Sequence, residues 1–250
     1  MINFTDAAIV TVRNTSSRLP GKSIMNIKNN LRSIDIVIER AKQTGFPVIL
    51  ATSTSETDNI FESIAKQHEI GFFRGALLNK IKRWYDCFIK FNIENALLLD
   101  GDDLCHNYDI GGRALNQLKI SNVDMILNPP NIVTGFFTYA IKKNGIKKMY
   151  DIVNYENENT DVITRFIEKA NLITEFVKLN DIECNENIRL TLDYEEDLQF
   201  FRKLYENVDI LENGSNVIKF LSENKEILNI NFYRQKDFLE NQAKFNEGIK

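Results

Sequence analysis

Short apolar runs alternate along this chain with longer stretches whose apolar residues recur every three or four positions. The short runs read as strands at 7–12 (AAIVTV), 47–51 (PVILA), 71–73, 96–99 (ALLL), 123–127, 135–141 (GFFTYAI) and 188–192. Continuous apolar runs of this length fit strands buried on both faces, as in parallel sheets. Between them, 31–44 carries Leu31, Ile34, Ile38 and Ala41 at helical spacing and stops at Gly45. Further helices are predicted at 60–68, with Ser55, Thr57 or Asp58 as its cap, and at 79–91, 145–153, 162–169, 195–205 and 217–223. The tail after Ile230 is also predicted helical. Trp84, Tyr85 and Phe88 fall on one helix and are expected to pack on the sheet. Phe200, Phe201 and Leu204, with Leu221 and Ile230, form a stripe that is either core or interface. The segment 155–160 (YENENT) reads as a loop over a site, and the last ten residues as a polar end prone to fraying. The alternation as a whole predicts an α/β fold with a mostly parallel sheet.

Composition narrows the picture. A chain of 250 residues with 43% hydrophobic and 26% charged residues fits one large α/β domain. Its net charge of −4 argues against nucleic acid as a partner, so any anionic ligand must be held by locally placed Lys and Arg. Cys87, Cys105 and Cys184 contain no CxxC pair, and only His68 and His106 are present, which disfavours a disulfide framework, a zinc site or a His-based triad. The N-terminus lacks the basic-then-apolar pattern of a signal peptide and no stretch matches a membrane span, so a cytoplasmic protein is expected.

Three segments carry chemistry. Arg13, Arg18 and Lys22 lie with Ser16 and Ser17 in one loop containing Pro20-Gly21, directly after the first strand. Parallel sheets gather ligands at the carboxyl ends of their strands, and a loop there with three cations around small residues suits a polyphosphate. A solvated basic loop is the plain alternative. The second segment, Asp100-Gly101-Asp102-Asp103, ends an apolar strand; crowded carboxylates there suit Mg²⁺, or simply cap a following helix. The third, 189–198 (RLTLDYEEDL), places Asp193 at a strand end as a candidate second metal ligand, with Asp197 in a structural role. A basic loop and an acidic strand end on one sheet together point to metal-assisted nucleotidyl or phosphoryl transfer. Near these segments, His106 either contacts the acceptor or lies at the surface, and Cys105 is expected in the packing, while Arg165 either meets an acceptor carboxylate or forms a surface salt bridge.

The run RNTSSRLPGKSI resembles the signature of the cytidylyltransferase family, with the CMP-Kdo synthetases closest in pattern. The pieces ATSTSETDNI at 51–60, FRG at 73–75, DGDD at 100–103 and RLTLDYEEDL at 189–198 are similar to the spore-coat-polysaccharide branch, in order and spacing over residues 7–205. The resemblance implies a three-layer α/β/α nucleotide-diphospho-sugar transferase fold, GT-A-like, in a single domain over 1–250, with 125–190 as acceptor-binding or dimerisation subregion. It implies transfer of CMP from CTP to an acidic sugar or related small acceptor, with pyrophosphate released, in bacterial surface-glycan biosynthesis by a homodimer. Arg13, Ser16, Arg18 and Lys22 would hold the phosphates; Ala51, Thr52, Ser53, Arg74 and Gly75 the cytosine and ribose; Asp102 and Asp193 the Mg²⁺. Arg13, Lys22 and Asp102 are the catalytic candidates. Three positions depart from the pattern: Leu104 replaces a proline, Lys28-Asn29-Asn30-Leu31 replaces a Gly-x-Pro, and Asn128-Pro129-Pro130 stands in the acceptor-side segment. Two alternatives stay open, a GT-A glycosyltransferase using Asp100-Gly101-Asp102 as a DxD site, and a non-catalytic nucleotide-binding relative.

Overall fold

A computed structural model describes residues 4–153 and 158–247, so part of the loop-like 155–160 and of the polar C-terminus lies outside it. In chain order the elements are β1 Asp6–Thr11, β2 Asn26–Lys28, β3 Leu31–Arg32, α1 Ser33–Lys42, β4 Val48–Ser53, α2 Ile60–Gln67, β5 Gly71–Gly75, α3 Lys80–Phe91 and β6 Asn95–Asp100. They continue with α4 Tyr108–Ile120, β7 Met125–Leu127, β8 Tyr139–Lys142, α5 Lys143–Ile152, α6 Thr164–Lys169, β9 Thr174–Phe176, α7 Glu195–Asn207, α8 Gly214–Glu223, α9 Lys225–Leu228 and α10 Arg234–Glu247. Among the described residues one seven-stranded sheet runs in the order β5-β4-β1-β6-β8-β7-β9, and only β8 runs against its neighbours.

The strands are apolar on both faces because both faces are covered. Ala8, Val10, Val48, Leu50, Leu97 and Leu99 pack with residues of α1, α2, α4, α7 and α8. Their neighbours Ala7, Ile9, Ile49, Ala96 and Leu98 pack with α3, α5 and α6. This is the three-layer α/β/α arrangement. Trp84 and Phe88 are fully buried, and Tyr85 stacks on Tyr150. The stripe Phe200, Phe201, Leu204 and Leu221 belongs to the core, with Ile230 packed against it.

Three features decide where the site falls. Thr11 and Asp100 are register partners at the ends of adjacent strands, so the loops after β1 and β6 leave the sheet side by side. Gly101 makes that exit: its N–H donates to the Thr11 carbonyl at 2.8 Å, and a Cβ there would lie 2.9 Å from the same oxygen. The β2–β3 hairpin turns on Asn29 and Asn30, both at positive φ (47° and 65°), so the Lys28–Leu31 departure is a two-asparagine turn that these side chains tolerate.

Two strand assignments need correction. Residues 188–192 form no strand of the sheet. The segment makes one isolated bridge, Arg189 with Thr134, and Leu192 N–H donates to the Asp102 carbonyl at 2.8 Å. Its apolar residues alternate like a strand's, but Arg189 and Thr191 are buried along with Ile188, Leu190 and Leu192, because the segment threads between the Thr134 and Asp102 loops. The 135–141 run enters the sheet only at Tyr139, since Gly135 (φ +89°) turns the chain first. Helix α4, strand β9 and the hairpin escaped the sequence reading.

Candidate active site

The loop after β1 and the acidic turn after β6 open a cleft of about 700 Å³. Its walls include Arg13, Ser16, Arg18, Lys22, Asp100 and Asp102, with Lys80 and Arg83 from α3, Asp161 and Val162 from the segment before α6, and Phe238 and Asn241 from α10. The first two motifs therefore share one cavity, and Asp193 joins them from across the molecule.

The centre of the site is a lysine between two carboxylates. Lys22 Nζ donates to Asp102 Oδ2 at 2.6 Å and to Asp193 Oδ1 at 2.9 Å. Arg18 also donates to Asp193 Oδ1. Burial alone would lower the lysine's pKa, but the two carboxylates outweigh it and push the ammonium upward. Burial likewise acts to raise Asp193, yet Lys22 and Arg18 hold it below the usual carboxylate range. Asp102 goes the other way, raised by burial and by Asp193 and Asp100 against the pull of Lys22. Asp103 is driven well above the ordinary range by burial and by Asp102 and Asp100.

Asp193 is held in place by a buried scaffold. The fully buried Arg189 donates to Asp193 Oδ2 at 3.1 Å and to both oxygens of Asp197 at 3.0 and 3.1 Å. Asp197 Oδ2 also accepts from the backbone N–H groups of Asp193 (2.8 Å) and Tyr194 (3.0 Å), capping α7. Phe238 of α10 lies 4.7 Å from the Arg189 guanidinium, which links the helix wall to this scaffold. Burying a charge costs least when it is paired and hydrogen-bonded, as Arg189 is.

Arg13 and Lys80 are each paired with a carboxylate in the cleft. Arg13 makes a two-pronged bond to Asp161 at 2.7 and 2.6 Å and donates to the Leu77 carbonyl at 2.8 Å. Lys80 pairs with Asp100 at 2.6 Å and sits over the Trp84 ring, whose N–H donates to Thr11 Oγ1. Ser16 Oγ accepts from the Leu19 N–H and shapes the loop.

Ala51, Thr52, Ser53, Arg74 and Gly75 come together on the paired ends of β4 and β5, beside the cleft. Their polar groups are engaged internally. The Thr52 and Ser53 hydroxyls donate to the buried Asp58, which also accepts the Asn14 N–H at 2.8 Å, while Arg74 donates to the Ser53 and Ser55 carbonyls and to Asn59. Asp58 thus ties the basic loop to the β4 end. The sequence offered it only as a helix cap. Arg165 pairs with Glu158 at 3.2 Å and lies over Phe166, outside the cleft walls. His106 is buried at 1% exposure, correcting the surface assignment, and burial with Arg40 nearby lowers its pKa to about 3. Cys105 is packed against Tyr205, 3.0 Å from its hydroxyl.

A family model described as Cytidylyltransferase matches residues 7–238. The chain belongs to the cytidylyltransferase family. It is therefore an enzyme of nucleotidyl transfer, which sets aside the glycosyltransferase alternative. The cytidylyltransferase is 25% identical over 212 residues to the spore coat polysaccharide biosynthesis protein SpsF of Bacillus subtilis, covering 79% of this chain and 85% of that one. Its fold matches that of a cytidylyltransferase from Leptospira borgpetersenii with a TM-score of 0.80 at 19% identity, over 90% of this chain and 97% of the other. It also matches a CMP:2-keto-3-deoxy-manno-octonic acid synthetase solved in complex with CTP, with a TM-score of 0.58 at 14% identity, over 81% and 98% of the two chains. Among the described residues no helix is long and apolar enough to cross a membrane.

Proposed function

We propose that this cytidylyltransferase moves CMP from CTP to a small acidic acceptor, a sugar acid or a related molecule, and releases pyrophosphate. The observation that carries the reading is the meeting of Arg18 and Lys22 with Asp102 and Asp193 in the cleft that the basic loop opens. Arg13, Ser16, Arg18 and Lys22 take the triphosphate, and the β4 and β5 ends with Ala51, Thr52, Ser53, Arg74 and Gly75 take cytosine and ribose. An acceptor oxygen forms a bond to the α-phosphorus as the bond to the pyrophosphate oxygen breaks. Lys22 neutralises charge that develops on the phosphates.

The donor set fits Mg²⁺. Oxygens of Asp102 and Asp193 converge on a single point, taken in the free enzyme by the Lys22 ammonium, and hard oxygen ligands suit this ion. When bound there, Mg²⁺ would screen the charge of the triphosphate. In this reading Lys22 turns from the carboxylates to the phosphates as nucleotide and metal arrive together.

Likeness to SpsF supports a role in bacterial surface-glycan synthesis. Exposed Ile173 and Phe176 at the β9 edge support pairing of two copies through the 125–190 subregion. Light scattering on the purified enzyme tests that assembly, and a monomer at all concentrations would refute it. The function is tested by calorimetric titration of CTP, ATP, GTP and UTP with Mg²⁺, then pyrophosphate release across a panel of sugar acids. Preference for CTP with release supports the proposal; preference for another nucleotide refutes it.

A further inference from the structure

Arg83 is a cleft cation that the reading above does not use. It sits in the first turn of α3 at 0% exposure and lines the cavity. Its Nη1 donates to two backbone carbonyls, Ala76 at 2.6 Å and Leu77 at 3.3 Å. Among the described residues its Nε has no hydrogen-bond partner, and no carboxylate is bonded to the guanidinium. A buried charge left in this state is costly unless something arrives to pair with it.

Arg13 lies alongside. Its Nη1 donates to the same Leu77 carbonyl, at 2.8 Å, so two guanidiniums share one neutral acceptor. Among the described residues they have between them a single bonded carboxylate, Asp161, which grips Arg13 alone and whose side chain is 37% exposed. Burial and the like charge of Arg13 lower the Arg83 pKa to about 10. Two cations on one carbonyl, one of them with no carboxylate bonded to it among the described residues, describe a seat for an oxyanion.

We propose that Arg83 and Arg13 form a second anion seat in the cleft, separate from Arg18 and Lys22, which takes a phosphate or carboxylate group of the ligand while Asp161 covers Arg13 in the free enzyme. The inference rests on the cytidylyl-transfer reading only for the identity of that ligand. Guanidinium pairs with oxyanions through two parallel bonds, and a rigid, buried donor loses little freedom on binding. In a transferase with a polyphosphate donor, such a seat would orient either the departing pyrophosphate or the acid group of the acceptor.

The test is calorimetric titration of inorganic pyrophosphate into wild type, Arg83→Gln and Arg83→Lys, with thermal melts confirming that both variants fold. Loss of one charge-assisted pair predicts about tenfold weaker pyrophosphate binding in Arg83→Gln and a smaller loss in Arg83→Lys. Equal losses for CTP and pyrophosphate, with CMP unchanged, assign the seat to the donor's outer phosphates. Losses for pyrophosphate and for pyruvate as a minimal keto acid, with CTP unchanged, assign it to the acceptor. Pyrophosphate binding that is unaltered in folded Arg83→Gln, or absent from wild type, overturns the seat. Pyrophosphate binding through Arg83 without preference for CTP would leave the seat standing and overturn the cytidylyl reading.

Discussion

Lys22 and Asp193 meet at 2.9 Å although 171 residues separate them in the chain. The contact closes the site: Lys22 comes from the loop after β1, Asp193 from two residues before α7, and Asp102 from the turn after β6 completes the triangle. An ammonium between two carboxylates keeps them from repelling each other in a buried setting. It also marks the point on which their oxygens converge.

Replacing Lys22 with Ala leaves that point without a cation. We expect Lys22→Ala to lose about 3 kcal/mol of stability, the scale for breaking a buried ion pair, and to bind CTP at least about tenfold more weakly. Added Mg²⁺ should raise the melting temperature of the variant more than that of wild type, because the two carboxylates are then open to it. Equal shifts in the two proteins would show that Asp102 and Asp193 do not share a metal.

Asp197 acts through the residues it holds. Asp197→Ala removes the main partner of the buried Arg189 and strands the N–H groups of Asp193 and Tyr194, which predicts a loss of about 3–5 kcal/mol in urea denaturation. Asp197→Asn keeps an acceptor oxygen and should lose less.

Gly135 stands at φ +89°, and a Cβ there would lie 2.3 Å from the Leu190 carbonyl oxygen. Gly135→Ala must push the 188–192 segment away, and with it Arg189. The expected cost is about 2–4 kcal/mol together with weaker CTP binding, read by denaturation and calorimetry on the same preparation. Loss of stability with CTP affinity retained would show that the segment moves without carrying Asp193.

His68 bridges Asp35 at 2.9 Å and Glu39 at 2.8 Å. Its bond to Asp35, aided by Glu39, raises its pKa above the ordinary 6.5 despite burial. A raised histidine contributes stability fully below about pH 6.5, and that contribution fades as pH rises through its folded value. Asp35, which burial alone would raise, is instead lowered to about 2 by His68 and Arg32, so its contribution is present above about pH 4 and is lost toward pH 2. Urea midpoints should therefore fall on both sides of a plateau, with up to about 2 kcal/mol at stake on the acid side. His68→Gln should flatten the alkaline limb; an unchanged limb would assign it to other groups.

Much of the fold was legible because its signals are local. Runs such as AAIVTV and ALLL are apolar on both faces, and a strand of that kind must be covered by helices. The two loops that follow them carry most of the charges of the site. The helix at 108–120 escaped because Gly111 and Gly112 dilute its pattern, although packing stabilises it: Gly111 lies so close to Leu97 that a Cβ would come within 2.7 Å. The 188–192 segment misled because its alternation of apolar and polar residues reads as a strand, whereas Arg189 and Thr191 are buried too and bond to partners off the sheet.

The sequence by itself determined the α/β class, the burial of the strands and the two charged loops at the ends of β1 and β6, since hydrophobic periodicity and turn chemistry act over a few residues. Which charge meets which was decided only by the tertiary structure. That Lys22 lies between Asp102 and Asp193, that Asp161 takes Arg13, and that Arg83 is buried with no bonded carboxylate among the described residues all depend on packing between distant elements. Electrostatic and hydrogen-bonding partners are chosen by distance in space, and no spacing along the chain encodes it.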